Sequence, residues 1–322
     1  MDNLFIAILN MSLTGTYVIA AIWLIRLLLK KSPKFISYCL WAVAGIRLVS
    51  PFSIDSIWSL VPSSARAIAA NTIVPANNVV LLEADAGLTS ALVTIGGFIW
   101  LAGATAMFGY GIVSYINLKQ KLKKSAHKHE NVFYENVFEG ADIKSPYVLG
   151  FFFPKIYLPL GLSDDELKHV ILHEQIHIRR GDHFVKFIAY FILSLHWFNP
   201  LVWLAFKLMC VDMEMSCDES VLNEMGIEET KQGYSITLVT LAIEKQFVTG
   251  SPLAFGESGI KARVNNVLKF KKRSKLTSAA AIILVVALSM ALMTNTAGIS
   301  IAEDSQEESI WPIYPIFSCI AC

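Results

Sequence analysis

The segment HEQIH, residues 173–177, places two histidines four residues apart, with a glutamate directly after the first. On a helix such residues leave the same face one turn apart, so His173 and His177 can both reach one tetrahedral Zn²⁺ ion. Glu174 lies beside them and can take a proton from a water molecule that the metal activates, which is the general-base role in this motif. Because HExxH also occurs by chance and on ordinary helix surfaces, the pentapeptide alone does not establish a metal site.

Zinc in a catalytic site needs a third protein ligand. The apolar run Phe184–Met209 is interrupted by Asn199-Pro200, where asparagine is a good N-cap and proline suits the first helical position. This break predicts two helices of about 14 residues joined by a turn near Trp197–Pro200, each too short to cross a bilayer alone. Such a hairpin would return the segment Cys210–Val221 to the side of His177.

The returning segment carries Glu214 and Asp218 four residues apart on one helix face. Glu214 can supply the third, oxygen ligand, and Asp218 can accept a hydrogen bond from the outer nitrogen of a ligating histidine. The alternative is a solvated acidic helix face. Cys210 and Cys217 flank Glu214 and could be soft metal ligands, although buried reduced cysteines are more common.

The elements that position these residues are short strands followed by a capped helix. Residues 131–160 are rich in aromatic and β-branched residues punctuated by glycine and proline, which predicts short strands. Within them, Val148–Leu158 could hold substrate as an added strand or be a plain structural hairpin. Ser163 and Glu166 form a capping box that predicts a helix running to about Arg180, and Gly181 is placed to end it.

The composition favours a membrane protein. Of the 322 residues, 54% are hydrophobic and only 16% are charged, whereas about a quarter are charged in ordinary soluble domains. Three stretches are long enough to cross a bilayer, and a fourth is apolar but carries two charged residues. In that order they are Leu4–Leu29, Leu88–Leu118, Leu276–Leu292 and Phe35–Val61. The chain has no basic domain, so we expect no direct nucleic-acid binding.

The placement of lysine and arginine predicts the orientation and the domains. Basic residues follow the predicted spans Leu4–Leu29 and Leu88–Leu118 and precede Leu276–Leu292. This pattern puts the N-terminus outside the cell membrane and residues 119–275 in the cytoplasm. We therefore expect a mainly α membrane protein with four transmembrane helices and an inserted α+β domain. The predicted parts are an N-terminal membrane region (1–118), a cytoplasmic metalloprotease domain (119–275) with a membrane-associated hairpin (184–215), a last transmembrane helix (276–296) and a short extracytoplasmic tail (297–322).

Five segments of the chain resemble the BlaR1/MecR1-type membrane zinc metallopeptidases, the M56 peptidase family. They are LWAVAGIRLVSPF, SPYVLGFFFPKIYLP, HEQIHIRRGDHFVK, HWFNPLVW and EMSCDESVL. The resemblance implies a gluzincin-like zinc protease in which Glu214 is the third ligand. It also implies a role in bacterial transmembrane signalling, with a cytoplasmic regulatory protein such as a transcriptional repressor, or the chain itself, as the substrate.

The chain differs from the antibiotic receptors of this family in one respect that limits the expected function. The antibiotic receptors carry a large external penicillin-binding domain after the last span, whereas only 26 residues follow here, ending in a segment with Cys319 and Cys322 that could form a disulfide. We therefore do not expect β-lactam sensing. The alternative function is a non-enzymatic signalling protein with a structural metal site, which usually has four protein ligands. Membrane lipid is an expected partner, and a homodimer is a further possibility.

Overall fold

The computed structural model describes residues 2–50, 54–56, 86–128, 136–245, 260–271, 282–283, 285–290 and 294–296. These residues are mostly helical. The main helices are α1 (Asp2–Leu28), α2 (Lys34–Val49), α3 (Ala86–Ser125), α4 (Asp164–Arg180), α5 (Asp182–Leu195), α6 (Pro200–Met225), α7 (Ile227–Lys245) and α8 (Ile260–Lys269).

The strands are short, and they form two small sheets. They are β1 (Ile54–Ser56), β2 (His127–Lys128), β3 (Val137–Gly140), β4 (Tyr147–Leu149), β5 (Lys155–Pro159) and β6 (Thr294–Thr296). The larger sheet has the order β2-β3-β5-β4, in which β3 and β5 are parallel and the other pairs are antiparallel. The smaller sheet pairs β1 with β6 in parallel. The prediction of short strands before the α4 helix is confirmed, and β4 is an edge strand.

Two helices of the described part are long and apolar enough to cross a membrane. They are α1 and the segment Ala91–Ser125 of α3, each with a mean hydropathy of 1.8 in its most apolar window. They coincide with the predicted spans Leu4–Leu29 and Leu88–Leu118. The predicted span Phe35–Val61 was too long, because α2 ends at Val49 and residues 54–56 form a strand. About half of the predicted last span 276–296 is described: residues 282–283 and 285–290 are helical, as predicted, whereas Thr294–Thr296 form a strand and not the end of a helix. The tail with its two cysteines falls wholly outside the described residues.

Helices α5 and α6 form the predicted hairpin. Asn199 caps α6 by accepting a hydrogen bond from the backbone N–H of Leu201 at 2.9 Å, and Pro200 is the first helical residue. The predicted length of the second helix was wrong: α6 has 26 residues, since its sequence contains no glycine or proline between Pro200 and Gly226. One continuous helix therefore runs from the apolar bundle to Glu214 and beyond.

Three apolar cores hold these helices and the larger sheet together. The largest core joins α1 and α2 to the α5–α6 hairpin, with Ile22, Leu40, Leu193 and Met213 almost completely buried. A second core packs α4 against α6, α7 and α8 around Ile176, Val221, Leu222, Tyr234 and Val267. A third places α4 on the sheet through Ile156, Leu158, Val170 and Ile171. Helix α4 is thus fixed on several sides, as a helix that positions metal ligands requires.

Candidate metal centre

Helix α4 begins and ends where the sequence predicts. The Ser163 side chain accepts a hydrogen bond from the Glu166 N–H, and the Glu166 carboxylate accepts one from the Ser163 N–H at 3.0 Å, so the capping box is complete. Gly181 ends the helix with φ +69°, a left-handed conformation that suits glycine. The chain therefore turns directly from α4 into α5 and places Asp182 next to the last turn of α4.

The two imidazoles face each other through their outer ring nitrogens. His173 Nε2 lies 3.1 Å from His177 Nε2. Glu214 Oε2, which α6 brings to the same point, lies 3.4 Å from His173 Nε2 and 3.6 Å from His177 Nε2. Two nitrogen or oxygen ligands of a tetrahedral zinc ion, each about 2.0–2.1 Å from the metal, are about 3.3 Å apart. The three side chains fit a zinc ion on this geometric test.

The inner nitrogen of each imidazole has its own partner. His177 Nδ1 lies 2.6 Å from Asp182 Oδ2, and Asp182 is almost completely buried. His173 Nδ1 lies 2.8 Å from the Tyr234 hydroxyl, which donates to Asp218 Oδ1 at 2.6 Å. Such partners fix the ring orientation and hold the proton on Nδ1, which leaves Nε2 free to bind a metal.

The expected contact of Asp218 with a ligating histidine is therefore mainly indirect. Asp218 Oδ1 lies 3.5 Å from His173 Nδ1. The two hydrogen bonds that the Tyr234 hydroxyl makes, to His173 Nδ1 and to Asp218 Oδ1, are both shorter. Arg263 of α8 donates to both Asp218 oxygens, at 2.8 and 2.7 Å. A buried carboxylate is costly unless it is paired, and Arg263 supplies that pairing.

Glu214 is kept ionised by the cations around it. Lys186 Nζ lies 3.3 Å from Oε1, and Arg263 Nη1 lies 3.3 Å from Oε2. Burial alone would raise the pKa of Glu214, but the cations around it, Lys186 foremost, outweigh burial and hold this pKa well below its usual range. The carboxylate is thus in the charged form that a metal ligand requires.

Glu174 is half-buried and lies on the same helical turn as His173. Glu174 interacts electrostatically with Lys186. Burial would lower the pKa of this lysine, but Glu214, Cys210 and Glu174 together raise that pKa. Lys186 therefore stays protonated between the carboxylates. Glu174 is thus close enough to Lys186 for their charges to interact.

Cys217 is a second candidate for the third ligand. Its sulfur lies within 4.8 Å of ligand atoms of both His173 and His177. The thiol is completely buried and points toward the main chain, where it donates to the His173 carbonyl at 3.4 Å. That contact gives the thiol a partner, whereas Glu214 places a carboxylate oxygen 3.4 and 3.6 Å from the two Nε2 atoms. Glu214 and Cys217 are thus the two candidates for the third ligand.

The structure brings together four of the five residues singled out from the sequence, His173, His177, Glu214 and Asp218, and Glu174 lies on the same helical turn as His173. The structure adds four others that sequence reasoning missed: Asp182, Lys186, Tyr234 and Arg263. Asp182 carried a local signal, as an acidic residue next to the glycine that ends the metal-binding helix. Tyr234 and Arg263 lie on later helices, and no spacing in the sequence connects them with His173.

The chain is similar to known bacterial proteins. The chain is 29% identical to the regulatory protein BlaR1 of Bacillus licheniformis over 239 residues, which cover 66% of this chain and 39% of the relative. It is 25% identical to the methicillin resistance mecR1 protein of Staphylococcus aureus over 210 residues, covering 61% and 35% of the two chains. The matched segments thus span less than two fifths of these relatives. The model of the BlaR1 peptidase M56 family matches residues 6–267, and the chain belongs to this family.

Proposed function

We propose that the chain is a membrane-embedded zinc metalloendopeptidase that acts in transmembrane signalling. The observation that carries this proposal is the convergence of His173 Nε2, His177 Nε2 and Glu214 Oε2, at 3.1–3.6 Å from one another. Three protein ligands leave one tetrahedral position open, as catalytic zinc sites do. Membership of the M56 peptidase family supports the same chemistry.

The residues around this centre have separate roles in peptide hydrolysis. Zinc, when bound, acts as a Lewis acid and lowers the pKa of water to about 7. The Glu174 carboxylate accepts the proton of the attacking water and returns it to the nitrogen of the leaving amine. Asp182 and Tyr234 keep the two imidazoles in the tautomer that presents Nε2. Lys186 remains cationic beside the carboxylates and balances their charge.

The membrane part of the proposal follows from the two apolar helices and from charge placement. With α1 and α3 spanning the bilayer, residues 119–275 form the cytoplasmic protease domain, and the tail after the last predicted span lies outside. The substrate would be a cytoplasmic or membrane-proximal regulatory protein, for example a repressor, or the chain itself. The four-span topology and the gluzincin-like fold class belong to the same proposal.

Glu174→Gln tests the mechanism in the purified full-length protein. We expect the variant to retain about one zinc per chain and to lose self-cleavage and cleavage of denatured casein, which serves as a generic unstructured substrate. Glu224→Gln is the matched control, because Glu224 is an exposed glutamate paired with Arg179. A Glu174→Gln protein that cleaves as fast as the unaltered chain would refute the assigned role.

A structural metal site is the second candidate, and the position of Cys217 favours it. If the sulfur completed a four-ligand site with His173, His177 and Glu214, no position would remain for water. Cys217→Ser separates the two cases: a four-ligand site predicts a large loss of bound zinc, whereas the catalytic site predicts that zinc and cleavage are retained. The hydrogen bond from Cys217 to the His173 carbonyl supports the catalytic arrangement.

A further inference from the structure

Three consecutive phenylalanines form the turn between β4 and β5. Phe151, Phe152 and Phe153 expose 40%, 79% and 85% of their surface. We call these three residues the aromatic tip. Scattered exposed apolar residues are common, but three adjacent exposed phenylalanines form a contiguous apolar patch, which is typical of a surface that contacts a protein or a membrane.

The aromatic tip is held rigidly against helix α5. Phe151 contacts the rings of Phe184 and Phe187, with centroid distances of 4.4 and 5.6 Å. His183 Nε2 donates to the Phe151 carbonyl at 3.2 Å. Gly150, with φ +119°, allows the tight turn, because a Cβ there would collide with the backbone of Phe153. The base of the tip, at Phe151, is therefore fixed on α5, and the more exposed Phe152 and Phe153 project from it.

Helix α5 in turn runs antiparallel to α3, the apolar helix. Leu195 pairs with Trp100 through a 2.7 Å hydrogen bond from the indole to the Leu195 carbonyl, and Tyr190 donates to the Met107 carbonyl at 2.7 Å. Moving toward the N-terminus of α5 therefore corresponds to moving toward the C-terminus of α3. Continuing this pairing places Phe187 and Phe184 beside about residues 111 to 115 of α3, given the same rise per residue in both helices.

That level on α3 is the end of its apolar part. Ile112, Val113 and Ile116 are exposed, and only 17% of the most apolar window of α3 is buried in the protein. The basic residues of the helix begin at Lys119, about 10 Å beyond residue 112 at the helical rise of 1.5 Å per residue. Aromatic residues concentrate at this boundary between hydrocarbon and headgroups, and lysines lie just outside it.

From this placement we propose that the aromatic tip inserts into the cytoplasmic interface of the lipid bilayer. It continues the lipid-facing surface of α3 and α5 onto the sheet of the protease domain, and thereby fixes the distance of the metal centre from the membrane. The inference rests on the membrane embedding proposed above and is independent of proteolysis. It extends the membrane contact beyond the α5–α6 hairpin to the β4–β5 turn.

The test measures quenching of a fluorescent amino acid by brominated lipid. An environment-sensitive amino acid replaces Phe152 in the full-length protein, reconstituted as one copy per nanodisc of phosphatidylcholine and phosphatidylglycerol, with or without bromine on the acyl chains. Two matched sites bracket it. Val113, 55% exposed on α3, serves as the lipid-facing reference, and Leu160, 57% exposed beyond the other end of β5, serves as the aqueous reference.

We expect the probe at Phe152 to be quenched at least half as strongly as the probe at Val113, while the probe at Leu160 remains unquenched. Quenching at Val113 without quenching at Phe152 overturns this inference alone, and leaves a protein partner or a second copy to cover the tip. No quenching at Val113 overturns the proposed membrane embedding, and this inference with it. Because none of the three probes measures cleavage, neither outcome depends on the activity of the metal centre.

Discussion

Replacing Asp182 by alanine should weaken zinc binding about 10- to 100-fold, the usual effect of removing the hydrogen-bond partner of a ligating histidine. Asp182 Oδ2 lies 2.6 Å from His177 Nδ1, and almost none of the residue is exposed to solvent. Without the carboxylate, the imidazole can rotate or move its proton to Nε2, which is the nitrogen that the metal needs. The loss corresponds to about 1.4–2.7 kcal/mol of binding free energy.

The assay is competition for zinc between the purified full-length protein and a chromophoric chelator at fixed pH. Tyr38→Phe is the matched control, because the Tyr38 hydroxyl donates to the other Asp182 oxygen at 3.1 Å and does not touch the histidines. Asp182→Asn should lie between the two, since its amide oxygen can still accept the hydrogen bond from Nδ1. If Asp182→Ala keeps its fold and binds zinc as tightly as Tyr38→Phe does, the proposed orienting role is wrong.

Two further predictions concern packing and charge. Gly103→Ala should destabilise the protein by about 1–3 kcal/mol, the usual cost of overpacking, because the new methyl group would collide with the Trp197 indole, whereas Gly109→Ala on the same helix has nothing within 4 Å and should be neutral. Equal thermal unfolding midpoints for the two variants would contradict the packing of α3 on the hairpin. Arg263→Ala should cost about 3–5 kcal/mol, since it leaves buried carboxylates unpaired, while Lys261→Ala on the exposed side of the same helix should change the midpoint little.

The local elements of the site were predictable because their signals are local. The capping box of Ser163 and Glu166, together with Gly181, defines both ends of α4, and the structure confirms them. The break at Asn199 was also sufficient to predict the hairpin that brings Glu214 to the histidines. In each case the backbone groups left unpaired at a helix end must find partners within a few residues. A short stretch of sequence is therefore enough to predict where the helix ends.

The supporting contacts were not predictable for the opposite reason. Tyr234 lies 61 residues after His173, and Arg263 lies 45 residues after Asp218. Their positions depend on how α7 and α8 pack against α6 through a small apolar core, and tertiary packing of this kind leaves no regular spacing in the sequence. Tyrosine and arginine are also ordinary residues on helices, so their types alone gave no signal.

Helix α6 explains why the membrane helices and the metal centre form one structural unit. Asp212 and Glu214 are two residues apart, which places them on opposite sides of the helix, about 200° around its axis. Asp212 accepts hydrogen bonds from Arg26 of α1 at 2.7 and 2.9 Å and from the Trp41 indole of α2 at 2.9 Å. The rotation and height of α6, and hence the position of Glu214 relative to the histidines, are therefore set partly by α1 and α2. The first two helices are therefore part of the scaffold that holds the proposed third ligand, and the family model also includes them, since it matches from residue 6 onward.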